Sequence, residues 1–84
     1  MFLTIFLQAA MGVSLAKAGA AFAASLAVFA AAWGIGRIGS TALESIARQP
    51  EAAGDIRSGM VLAAALIEGV AMFAVVVCFL VLFV

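Results

Sequence analysis

The sequence predicts an all-α membrane protein: a two-helix antiparallel transmembrane hairpin that assembles side by side into a homo-oligomeric ring. Three observations predict it. Hydrophobic side chains make up 69% of the 84 residues, against roughly 45–50% in a soluble domain, and so short a chain has too little interior to hide them from water. Six of the eight charged residues fall in one segment, Arg37 to Gly59, between two long apolar runs. The first run is rich in Ala, Gly and Ser, whereas the second is dominated by Val, Leu and Phe. The whole chain reads as one hairpin, with the outer end and first helix at about 1–47, the loop at about 48–50 and the second helix at about 51–84.

The first helix is justified by what it lacks. Met1 to Ala16 carries no charge, and Gln8 is its one strongly polar side chain. A secretory signal peptide is the rival reading. The segment has neither the basic start of such a peptide nor an end to its apolar character where cleavage belongs. It therefore reads as the outer end of the first membrane helix, with room for a short separate turn around Gly12. Lys17 snorkels to the headgroups from a helix end. Ala18 to Gly36 then gives nineteen residues without a charge, close to the roughly 20 that span a hydrocarbon core. From Ala16 to Gly36, fourteen of twenty-one residues are Ala, Gly or Ser. Small side chains let helices approach closely in lipid, where the hydrophobic effect gives them no other reason to associate. Ala30, Ala32, Gly34 and Gly36 read as packing residues around much of the girth of this helix.

The polar segment forms the turn. Pro50 disfavours helix at the residue before it and suits a first helical turn. One helix therefore ends near Ala47, a tight turn takes Arg48, Gln49 and Pro50, and the next helix starts near Glu51. Glu51 and Asp55 then suit the positive end of its dipole. Three of the four basic residues lie in this segment. The positive-inside rule places the loop in the cytoplasm and both termini outside.

The second helix carries the residue of interest. Glu68 sits deep in an apolar run, and the sixteen residues from Gly69 onward hold no other charge. A charge at membrane depth costs on the order of 2.5–3.5 kcal/mol on insertion scales, so an intramembrane carboxylate is read as functional. At helical spacing it lies beside Ala64, Ala65, Ala71 and Met72, which leaves space for a close neighbour. With the turn at Gln49–Pro50, Glu68 faces the level of Ala31 across the hairpin, with Ile35 one turn nearer the loop. The expected lining of the site is thus Ala31, Ile35, Ala64, Ala65 and Met72. One hairpin cannot cover its own small-residue faces, and closed cyclic symmetry is the usual solution for identical copies.

Several function classes are excluded. Zero net charge gives nucleic acid no electrostatic footing. With no His and one Cys, Cys78, the chain offers no zinc site, internal disulfide or Cys–His nucleophile. No second carboxylate lies in the apolar spans, so paired acid–base catalysis has no support. A single carboxyl is neutral in hydrocarbon and ionises beside a cation or water. Alternating between those settings carries one ion at a time with no resident cofactor. Sodium would want several oxygen ligands. Gly69 and Ile35 supply none from their side chains, so the expected ion is the proton. A small multidrug-type antiporter would want aromatics near the Glu, and a passive channel or holin-like protein would not need the acid.

Together these residues resemble a known family. Ala47-Arg48-Gln49-Pro50-Glu51 in a polar loop, a Glu eighteen residues after that Pro, and Ala30-x-Ala32-x-Gly34-x-Gly36 before the loop are similar to the proteolipid, or c subunit, of the rotary F-type ATP synthase. The resemblance covers roughly Ala16 to the C-terminus. It implies a ring of identical copies turning against the stationary a subunit, embedded in lipid, in a membrane that for a bacterium is the inner one. Glu68 would be the proton-carrying carboxyl. Arg48, Gln49 and Pro50 would meet the central stalk. Sodium-binding members carry Gln where this chain has Ile35 and a hydroxyl residue where it has Gly69. Ala30 and Ala32 depart from the family's more usual Gly.

Overall fold

The computed structural model describes residues 1–83. Two helices fill it: α1, Phe2–Arg48, and α2, Ala53–Val81, joined by Gln49 and one 3₁₀ turn, Pro50–Ala52. They run antiparallel as a hairpin 73 Å long, 16 Å wide and 7 Å deep between Cα atoms. The hairpin is therefore one helix thick. The sequence carries the second helix to about residue 84; α2 instead ends at Val81, with Leu82 and Phe83 in a turn, and Val84 lies outside the described residues.

The turn forms where proline chemistry requires it. Gln49 is extended, with φ −133° and ψ 72°, as sterics demand of a residue before Pro. Its N–H still donates to the Ser45 carbonyl at 2.8 Å, and the Ala52 N–H donates to the Gln49 carbonyl at 3.0 Å. The helix thus runs one residue past the expected Ala47. Glu51 belongs to the 3₁₀ turn rather than opening α2, which starts at Ala53 with Asp55 in its first turn. α1 also runs unbroken through Gly12, so the separate turn pictured there does not form. Among the described residues two helices are long and apolar enough to cross a membrane.

The seam between the helices advances in steps of four and three. On α1 it takes Ala20, Ala24, Ala27, Ala31, Gly34 and Ile38; α2 answers with Ile56, Met60, Ala63, Ile67, Ala71, Ala74 and Cys78. A repeat near 3.5 residues keeps one stripe of each helix facing the other. Alanine and glycine on α1 make shallow holes, into which the longer side chains of α2 settle. Ala20, Ala31 and Ala42 are the buried residues, eleven apart, which is close to three helical turns.

One contact shows how closely the helices approach. A Cβ on Gly34 would stand 3.3 Å from Ile67 Cδ1, so Gly34 faces Ile67 across the seam. Glu68 borders Ala31, Ala32 and Ile35 of α1. At the other end α1 outruns α2. Residues before Ala20 are exposed along their whole length, an overhang of about 27 Å at 1.5 Å per residue.

Candidate functional site

Glu68 is exposed on one flank of the hairpin, beside the seam rather than in it. It borders two shallow depressions. The outer one is lined by Val28, Ala31, Ala32, Ile35, Ala71, Met72 and Val75. The one nearer the loop is lined by Ile35, Gly39, Met60, Val61, Ala64 and Ala65. The five residues expected at the site, Ala31, Ile35, Ala64, Ala65 and Met72, all border one or the other, and Ile35 borders both.

The chemistry of this flank is sparse. Among the described residues no side chain hydrogen-bonds or ion-pairs with Glu68; the side-chain hydrogen bond that is present, Ser25 Oγ to the Ala21 carbonyl at 2.9 Å, lies nearer the outer end of the hairpin. Neither depression contains a hydroxyl, amide or aromatic side chain. Among the described residues no group of His, Cys, Asp and Glu is placed to hold a metal ion. The site is one carboxyl framed by C–H groups.

The small-residue run before the loop proves to point in several directions. Ala32 lies on the Glu68 flank. Ala30 lies on the opposite flank, in a depression it shares with Ala27, Leu66, Val70 and Ala74. Gly34 meets Ile67, and Gly36 has open space where a Cβ would be. Residues two apart on a helix differ by about 200°, so an alternating run distributes small side chains around the axis. At the tip of the hairpin Arg48, Gln49 and Pro50 are all exposed.

α1 is not small on every side, although its composition suggests so. Phe22, Leu26, Phe29 and Trp33 form a bulky row away from α2, with the Arg37 guanidinium 5.0 Å from the Trp33 ring centroid. Their spacing of four, three and four is the signal in the sequence that points to this row.

A protein-family model for the ATP synthase C subunit matches residues 18–81. The chain belongs to that family. A relative from Bacteroides thetaiotaomicron, named as the c subunit of ATP synthase, is 62% identical over 84 residues, covering 99% of each chain. A relative of the same name from Phocaeicola vulgatus is 57% identical over 83 residues, again covering 99% of each. One from Latilactobacillus sakei is 50% identical over 64 residues, 76% of this chain and 91% of its own. Family membership makes the chain a rotor subunit in the membrane sector of an F-type ATP synthase, a complex that couples proton flow to ATP synthesis. The residues before Ala18 lie outside the family match, although the two most extensive of these similarities run through them.

Proposed function

We propose that Glu68 is the group that carries the proton in this rotor subunit, by gaining and losing it once per passage. The observation that carries the reading is the solitary carboxylate on an exposed flank, beside Ala31, Ala32 and Ile35, framed only by apolar side chains, half of them Ala or Gly. The two flanks of the hairpin differ, one with Glu68 and one without. Identical copies joining flank to flank make a heterologous contact, which closes as a ring when the rotation per copy allows. In that ring Glu68 lies between neighbours. A polar port on the stationary a subunit, with a cation to offset the negative form, releases the proton there. The carboxyl is recharged from water on the other side before it returns to lipid.

The ion is H⁺ rather than Na⁺. A hard cation is held by several oxygen ligands, and both depressions beside Glu68 offer none from side chains other than the carboxyl itself. The exposed tip, Arg48, Gln49 and Pro50, is the surface for the central stalk. The basic residues of the loop orient it to the cytoplasm and both termini outside, in the cell membrane of a bacterium. No resident cofactor is needed for this cycle.

The test is Glu68→Gln, which keeps shape and polarity but cannot ionise. Membranes carrying it show no proton-driven ATP synthesis above background, with the oligomer intact. Persistent coupled synthesis overturns the assignment.

A further inference from the structure

The loop end of α2 carries two opposite charges that their own helix leaves unpaired. Asp55 and Arg57 are both exposed. Residues two apart on a helix do not face each other; partners stand three or four residues away. For Asp55 those positions are Glu51, Ala52, Ser58 and Gly59, and for Arg57 they are Ala53, Gly54, Met60 and Val61. None offers an opposite charge. The dipole of α2 accounts for an acid in its first turn, but it leaves the base unexplained.

The helix sets the two on opposite flanks. Eleven residues are close to three turns. Arg57 is eleven before Glu68 and four before Val61, so it continues the Glu68 flank toward the loop. Asp55 is eleven before Leu66 and four before Gly59, which border the other flank. The remaining charges of that second flank have uses on α1 itself. The Arg37 guanidinium is 5.0 Å from the Trp33 ring centroid. Glu44 precedes Arg48 by four residues, the order and spacing that suit a pair within one helix.

We propose that Asp55 of one copy pairs with Arg57 of the next at every interface of the ring, just beyond the loop-side end of the apolar spans. A closed ring relates its copies by rotation alone, so equivalent residues share one depth. Asp55 and Arg57 then differ by about 3 Å along the helix axis, which a guanidinium on its long stem spans. The pair gives the interface a direction. Two Glu68 flanks meeting would oppose Arg57 to Arg57, and two of the other flank would oppose Asp55 to Asp55. Repulsion against the wrong partner is a source of specificity. Small side chains let the flanks approach, and the charges decide which flank meets which. The inference rests on the flank-to-flank ring of the proposed function, not on proton carriage.

The test uses the full chain as an oligomer in mild detergent at low salt, read by intact mass and by dissociation temperature. Asp55→Arg and Arg57→Asp each set like charges together at every interface, and each alone lowers the dissociation temperature by several degrees. Assembling the two variants in equal amounts restores it, because the copies can alternate. Both substitutions in one chain restore it as well. The single-variant deficits shrink as added salt screens the rim. Glu44→Arg, an equal change in net charge, shifts dissociation far less. An oligomer indifferent to both single reversals overturns the pair, as does failure of either combination to recover. A Glu44→Arg deficit as large as that of Asp55→Arg also overturns it. Absence of any oligomer from the unaltered chain overturns the ring, and the pair with it.

Discussion

Within the apolar spans the two flanks of the hairpin are built from the same helices and nearly the same residue types, yet one carries an acid and the other does not. Around Glu68 lie Ala31, Ala32, Ile35, Ala64, Ala65 and Met72; the opposite flank presents Ala27, Ala30, Leu66, Val70 and Ala74. Both are shallow and apolar, as surfaces that meet each other need to be. The difference teaches that shape and chemistry are separable here. Alanines at 30 and 32 keep both flanks shallow, and the one acid of the spans stands on one side.

The comparison is sharpened most strongly by covalent labelling. A hydrophobic carbodiimide reacts with a protonated carboxyl in lipid. It modifies Glu68, leaves the opposite flank untouched, and slows as pH rises, because the ionised form does not react. The rate is the same with and without millimolar sodium; protection by sodium reverses the ion assignment. Peptide mass analysis reads the result.

Next in size is the shape of the flanks. Ala32→Leu on the acid side and Ala30→Leu on the other each overfill a close contact, at about 1–3 kcal/mol per copy. Because every copy meets two neighbours, both substitutions abolish the oligomer seen by intact mass in mild detergent. Phe22→Leu, off the flanks, leaves it in place. Loss of assembly from only one of the two alanine substitutions shows that the flanks do not contribute equally.

Away from the flanks the effects shrink. Phe79 and Phe83 meet edge to face at 5.1 Å near the end of α2, an arrangement worth about 0.5–1.5 kcal/mol. Phe79→Ala lowers thermal stability of the assembly by about that much and leaves coupling intact. Gly34→Ala is smaller still. The new methyl meets the tip of the Ile67 side chain at 3.3 Å, which yields easily, while alanine favours the helix by about 1 kcal/mol over glycine. The two offset, and the melting temperature stays close to that of the parent.

Much of the hairpin is legible in the amino-acid sequence. The Glu68 carboxylate stands out because a charge in an apolar run is costly, and Pro50 marks the turn because it constrains the residue before it. The five side chains expected around Glu68 follow from helical spacing plus an antiparallel pairing. What is not legible is what depends on counting through the turn. The 3₁₀ piece at Pro50–Ala52 takes Glu51 out of the second helix, which opens at Ala53 instead. The bulky row of α1 is hidden by composition: fourteen small residues in twenty-one obscure the four large ones that share a face. The unbroken course through Gly12 is hidden too, because a lone glycine weakens a helix without ending it.

A hairpin one helix thick, with three alanines as its whole buried core among the described residues, has no interior of its own. A solitary copy therefore is not a thermodynamic unit. Its melting depends on protein concentration, since neighbours supply the missing contacts and mass action governs the transition.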